Sequence, residues 1–102
     1  MISRLSPLQL SQLKHQLPSW TIQRTPVESI TKEYRFKDYK ECFMFMTRIS
    51  FDIEQLDHHP EYFQCFNLLK VTLTTHDCDG LSERDLELAT RMDHLFEIYF
   101  KK

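Results

Sequence analysis

Apolar positions recur along this chain with two periods, and the switches between them, together with two turns, divide it into seven segments. Ser6-Pro7 followed by Leu8, Leu10, Leu13 and Leu17 predicts a short opening helix. Ser6 suits the N-cap, and Pro7 stands at the first helical position, where a missing N–H costs nothing. Pro18-Ser19 stops it. Trp20 to Arg24 alternates and predicts a short strand, and Thr25-Pro26 turns the chain. From Ser29 to Phe36 alternation returns, with Ile30, Tyr34 and Phe36 on one face and Lys32 among them, which predicts the second strand of a hairpin.

From Asp38 to about Asp57 the period is helical: Cys42, Met46, Ile49, Ile53 and Leu56 fall at spacings of 4, 3, 4 and 3. Asp38 suits the N-cap. Phe43, Met44, Phe45 and Phe51 lie beside or behind that stripe. A helix apolar over most of its girth needs cover on both sides, and in so small a chain the expected second cover is another subunit. Pro60 is expected to end the helix and to hold His59 extended. Residues 62–69 and 70–76 are rich in strand formers, with a turn near Asn67. Val71, Leu73 and Thr75 share one face, and Thr72, Thr74 and His76 the other.

Asp77-Cys78-Asp79-Gly80 reads as a loop, with Gly80 supplying a positive φ. Ser82-Glu83-Arg84-Asp85 has capping-box form, flanked by Leu81 and Leu86 at the staple positions. The last helix is expected to turn Leu86, Ala89, Met92, Phe96 and Tyr99 inward and to carry Lys101 and Lys102 at its negative pole. The order α-β-β-α-β-β-α predicts an α+β fold: a four-stranded antiparallel sheet with three helices on one face, forming a single domain over residues 1–102.

Composition narrows the function classes. The chain has a net charge of -2, which argues against direct nucleic-acid binding. Its one glycine, Gly80, excludes a glycine-rich phosphate loop. No apolar run approaches the ~20 residues needed to span a bilayer. Three unpaired cysteines, Cys42, Cys65 and Cys78, read as free thiols in a reducing compartment, so a cytoplasmic location is expected. Residues 1–27 contain no acid. They are expected to belong to the domain and not to a transit peptide, because they carry Trp20 and the first strand.

The chemistry concentrates between Glu54 and Asp85. Glu54 and His58 are four apart, so on a helix they share a face, and a carboxylate there would fix the imidazole tautomer. Pro60 turns His59 into a different environment. Two adjacent histidines in unlike settings can supply an acid and a base near neutral pH. His76, at a strand end, could reach the same cleft, oriented by Asp77 or Asp85. Asp85 has a second reading as the capping-box residue. A metal site competes, three histidines and a carboxylate being a good ligand set, but adjacent histidines are awkward joint ligands of one ion and no standard zinc spacing occurs. Nothing marks Cys78 as an activated nucleophile. His15 and His94 read as ordinary surface residues. From the residues alone the reaction stays open.

The pattern Glu54-x-x-x-His58-His59-Pro60, then Phe66 after five residues, His76 after nine more and Asp85 after eight more resembles the signature of the pterin-4a-carbinolamine dehydratases. Tyr34-Arg35-Phe36-Lys37-Asp38-Tyr39, Phe45-Met46-Thr47-Arg48-Ile49, Val71 to His76, Gly80 to Asp85 and the isolated Trp20 extend the resemblance from about Leu5 to Phe100. Tyr62 stands where many members have Trp, and Phe66 where Tyr is common. The resemblance implies dehydration of 4a-hydroxytetrahydrobiopterin to quinonoid dihydropterin without metal or cofactor, in recycling of the pterin used by aromatic amino acid hydroxylases. It makes His58, His59 and His76 the catalytic set, with His58 and His76 as acids and His59 binding substrate or accepting the ring proton. It gives substrate-binding or orienting roles to Glu54 (toward His58), Asp57, Pro60, Tyr62, Thr75, Arg84 and Asp85 (near His76). It also implies a homo-oligomer, dimer or tetramer, through the 38–57 helix and the sheet edges. Animal members act in addition as dimerisation cofactors of a homeodomain transcription factor, which would add a protein partner and a nuclear location.

Overall fold

The structure is a computed structural model and describes residues 2–101; Lys102, expected beside Lys101 at the pole of the last helix, lies outside the described residues. The elements follow in the expected order: α1 (Pro7–Gln16), β1 (Thr21–Gln23), β2 (Ser29–Arg35), α2 (Tyr39–Leu56), β3 (Glu61–Cys65), β4 (Leu68–Leu73), a 3-10 turn (His76–Cys78) and α3 (Glu83–Tyr99). The strands form one antiparallel sheet in the order β1-β2-β4-β3. β1 and β3 are its edges.

The central register sets Tyr34 opposite Leu69 and Ile30 opposite Leu73, and all four side chains are buried. Leu13 of α1, Phe45 and Ile49 of α2, and Leu88 and Met92 of α3 enter the same core, so the three helices cover one face. Glu33, Arg35, Glu61 and Phe63 stand exposed on the other face, the alternation expected of a sheet covered on one side.

Lys32 falls on the covered face, where a cation needs a partner. Its ammonium lies 2.6 Å from Asp93 of α3, and Trp20 Nε1 (3.1 Å) and the Tyr34 hydroxyl (2.5 Å) donate to the same carboxylate. One residue thereby satisfies three polar ends from the first hairpin. Burial first, and then the Asp93 charge, push the Tyr34 hydroxyl far above the usual phenol range.

Two helical stripes differ from expectation. Phe45 is fully buried with Cys42, Ile49 and Ile53 on α2, whereas Phe43, Met44 and Phe51 are exposed. The true stripe repeats at i, i+3, i+7 and i+11, closer to the 3.6-residue period, and leaves Met46 and Leu56 at its border. On α3 the buried residues are Asp85, Leu88, Ala89 and Met92, while Tyr99 is exposed and Phe96 only partly covered.

The loops place the site. The β3–β4 turn is Phe66-Asn67, with Phe66 in the left-handed region (φ 52). Asn67 Nδ2 donates to Phe36 O at 2.9 Å, tying the turn to the end of β2. At residues 79–80 the expected positive φ falls on Asp79 (φ 54) and not on Gly80. Gly80 is needed for close approach: a Cβ there would stand 2.6 Å from Arg4 Nε and 2.9 Å from Glu28 Oε1. Glu28, buried under this loop, accepts from Leu81 N–H through Oε1 at 3.0 Å and from the Thr74 hydroxyl through its carbonyl at 2.7 Å. The segment entering α3 is therefore fixed to the end of β4.

Candidate active site

The α3 N-terminus follows the local rules of helix capping. Ser82 is the N-cap and Asp85, at N3, folds back so that Oδ2 accepts the Ser82 N–H at 2.9 Å. Most capping-box carboxylates face solvent; Asp85 is 0% exposed. Burial of a carboxylate requires compensating donors, and two more are supplied. Thr75 Oγ1 donates to Oδ2 at 2.8 Å, and His58 Nε2 lies 2.6 Å from Oδ1. Thr75 has a single hydroxyl hydrogen, so the 2.6 Å contact between Thr75 Oγ1 and Ser82 Oγ takes its hydrogen from Ser82. Ser82 Oγ in turn accepts the Arg84 N–H at 3.2 Å.

His58 reaches Asp85 because α2 stops early. Leu56 is the last helical residue and Asp57 takes the left-handed conformation (φ 50). The Asp57 and His58 N–H groups close on the carbonyls of Glu54 and Ile53, both at 3.2 Å. This αL cap, and not Pro60, ends the helix. It also removes the i,i+4 geometry between Glu54 and His58. His58 turns inward to Asp85, and Glu54 Oε2 instead meets His59 Nε2 at 3.2 Å, in an exposed pair. The expected Glu54–His58 contact is thus replaced by Asp85–His58 and Glu54–His59.

His76 begins the 3-10 turn after β4 and is exposed. The expected Asp85–His76 neighbourhood is realised one residue away, since Thr75 and not His76 bonds the carboxylate. Asp85 therefore joins the His58-His59 segment to the Thr75-His76 segment. Among the described residues Tyr62 Oη is the one buried polar side-chain atom without a partner. Among the described residues His58 Nδ1 has no hydrogen-bond partner and is not a sealed atom, so the ring turns Nε2 to Asp85 and leaves Nδ1 free.

The remaining predicted residues fall into three groups. Thr75 and Asp85 belong to the buried network. Asp57, Pro60 and Arg84 border it: Asp57 as the helix cap, Pro60 leading into β3, and Arg84 on the first turn of α3. Arg84 lines a cleft of about 440 Å³ with Leu56, Glu87 and Gln16, and the histidines stand outside that lining. Tyr62 faces inward opposite Val71, and burial pushes its hydroxyl well above the phenol range. Its hydroxyl is sealed from solvent, so only the half-buried ring is left for the expected contact with substrate. A buried hydroxyl without a partner costs about 1–3 kcal/mol. Tyr62→Phe should therefore raise the unfolding free energy by roughly 1 kcal/mol in denaturant titration. Burial raises the Cys78 thiol above its ordinary value, and Sγ is turned to the Thr75 and Gly80 carbonyls, as suits an unactivated thiol.

Ser82 and Glu28 were not legible as site residues. Ser82 carried only a capping signal, and Glu28 lies 46 and 53 positions from Thr74 and Leu81, the two site-bearing residues it bonds. Among the described residues no three His, Cys, Asp or Glu side chains are grouped to hold a metal ion, and no helix is long and apolar enough to cross a membrane.

A buried Asp–His pair beside two exposed histidines, on an α+β scaffold, defines a candidate histidine acid/base site. The pterin 4 alpha carbinolamine dehydratase family model matches residues 3–95. The chain belongs to that family. A protein of Rhizobium meliloti is 42% identical over 94 residues, covering 92% of this chain and 89% of its own. One of Novosphingobium aromaticivorans is 39% identical over 92 residues, covering 90% and 95%. Both are named provisionally as pterin-4-alpha-carbinolamine dehydratases. A crystal structure from Brucella melitensis, described as a transcriptional coactivator/pterin dehydratase, superposes with a TM-score of 0.84 at 35% identity over 90% of this chain and 97% of its own. A pterin dehydratase-like protein identified as a RuBisCO assembly factor of the alpha-carboxysome has the same fold, with a TM-score of 0.66 at 24% identity over 79% and 93%.

Proposed function

We propose that this chain dehydrates 4a-hydroxytetrahydrobiopterin to quinonoid dihydropterin by histidine acid/base catalysis, in the cytoplasm. The observation that carries the reading is the Asp85 carboxylate, which fastens both histidine-bearing segments from beneath. In the reaction the C4a–O bond breaks, the departing hydroxyl takes a proton and leaves as water, and a ring N–H gives up its proton as a C=N bond forms. With its Nε2–H committed to Asp85, His58 takes up a second proton at Nδ1 and delivers it from there. His58 and His76 deliver the proton to the hydroxyl, and His59, paired to Glu54, binds the ring or accepts its proton. Asp57, Pro60, the Tyr62 ring and Arg84 border the pterin. The test follows decay of enzymatically generated 4a-hydroxytetrahydrobiopterin: the protein should accelerate it, and an unchanged decay would sink the proposal.

The protein further acts as a homo-oligomer, dimer or tetramer. α2 exposes Phe43, Met44 and Phe51, Ile98 and Tyr99 of α3 are also exposed, and β1 and β3 are sheet edges. Apolar surface on this scale marks an interaction site. Light scattering should give a multiple of the chain mass, reduced by Phe51→Glu; a wild-type monomer at micromolar concentration overturns this. The same exposed side chains support a second reading, a protein-binding role independent of catalysis as a transcription-factor dimerisation cofactor. Its mark would be partner capture that survives loss of the histidines but not of Phe51 or Met44.

A further inference from the structure

We infer that Ser82 is a positioning residue for His58, acting through Thr75 and Asp85. This rests on the acid/base reading above, although its first readout does not depend on catalysis. An N-cap serine needs only to accept a hydrogen bond from the first turn of its helix. Ser82 does that with the Arg84 N–H at 3.2 Å, and then does something capping does not require. Its own hydroxyl hydrogen is directed 2.6 Å away to Thr75 Oγ1. Thr75 spends its one hydrogen on Asp85 Oδ2, so the chain of donors runs Ser82 to Thr75 to Asp85, and Ser82 holds the Thr75 rotor in that sense. The Ser82 N–H ends on the same oxygen.

The consequence appears at the other carboxylate oxygen. With Oδ2 saturated by two donors, the carboxylate plane is locked and Oδ1 is presented to His58 Nε2 alone. An ionised carboxylate accepts and does not donate, so the proton sits on Nε2 and Nδ1 carries the lone pair. Ser82 and Thr75 are 1% and 2% exposed, so no solvent stands ready to replace a lost hydroxyl. Removing the Ser82 hydroxyl frees the Thr75 rotor, loosens the carboxylate and lets His58 populate both tautomers.

The experiment uses three variants. Ser82→Gly removes the hydroxyl while keeping an acceptable N-cap, and Ser82→Thr restores both. Thr75→Val, close to isosteric, breaks the same chain at the next link. Two-bond proton–nitrogen correlation spectra of protein labelled with 15N-histidine report the tautomers directly. His58 should be a single Nε2–H species in wild type and in Ser82→Thr, and a mixture in Ser82→Gly and Thr75→Val. In the pterin assay kcat should fall about tenfold in Ser82→Gly, the scale typical of partners that orient a functional histidine, and recover in Ser82→Thr. An unchanged single tautomer in folded Ser82→Gly overturns the inference; if that variant does not fold, the same result in Thr75→Val overturns it. A tautomer change as expected, in a protein whose wild type shows no dehydration, upholds the positioning role and sinks the functional reading alone.

Discussion

Asp85→Asn will lower turnover by roughly 10²–10⁴-fold, while Asp85→Ala will in addition bring the protein close to unfolding. The difference follows from the two oxygens. Oδ2 accepts the Ser82 N–H and the Thr75 hydroxyl, and Oδ1 faces His58 Nε2. An asparagine whose carbonyl takes the Oδ2 position keeps the first two bonds and the capping box. Its amide then points N–H groups at His58 Nε2, which must become the acceptor. The ring proton moves to Nδ1, the nitrogen open to substrate, and the site holds the wrong tautomer with its packing intact. Alanine leaves three buried donors without a partner and costs about 3–5 kcal/mol. Against a total of about 5–15 kcal/mol that is a large share, and at this size it lowers Tm by about 15 °C or more. Thermal melts and the dehydration assay, run at a temperature where each variant is folded, separate the two losses. An Asp85→Asn protein that melts lower yet turns over like wild type would make Asp85 a helix cap and nothing more.

That double role was legible in the sequence only as an ambiguity, because capping and histidine orientation each fix one contact of the same carboxylate. The fold was legible nearly throughout. The shifts of period at Asp38 and Tyr62, the cap residues Ser6, Asp38 and Ser82, and the turn near Asn67 are local signals, and local signals survive into the structure. The errors arise where a choice depends on what lies across the molecule. Phe45 looked peripheral because a spacing of 4, 3, 4 and 3 through Met46 fitted α2 almost as well; which flank is covered depends on the aromatic rings of Tyr34, Phe36 and Phe96 that meet it. The Glu54–His58 pairing assumed one more helical residue than α2 has, and a left-handed Asp57 sufficed to exchange the partners of two histidines. A boundary uncertainty of one residue is trivial for a fold and decisive for a site. Glu28 and Asp93 carried no signal as anchors, because the Leu81 N–H and the Lys32 ammonium that their carboxylates meet are distant in the chain.

Removing His59 and His76 together will abolish most catalysis with almost no change in stability, the reverse of Asp85→Ala. Both rings are exposed, and the Glu54–His59 pair, exposed on both sides, adds little to folding. Surface substitutions of this kind usually stay within about 0.5 kcal/mol, so the melting curve of His59→Ala/His76→Ala should overlay that of wild type. Each positioned acid or base typically contributes about 10²–10⁴-fold, and groups that act as a unit in one concerted elimination are not additive. The expected loss for the double variant is therefore roughly 10³–10⁴-fold in kcat/KM, little more than the worse of the two single variants. The single variants divide the roles. If His76 delivers the proton to the departing hydroxyl, His76→Ala lowers kcat and leaves KM nearly unchanged; if His59 holds the pterin ring, His59→Ala raises KM first. His58→Ala cannot serve as the comparison, because it strands the buried Asp85 carboxylate and mixes stability into the rate. A folded double variant that turns over like wild type removes both exposed histidines from the mechanism and leaves the Asp85–His58 pair as the only acid/base group of the site.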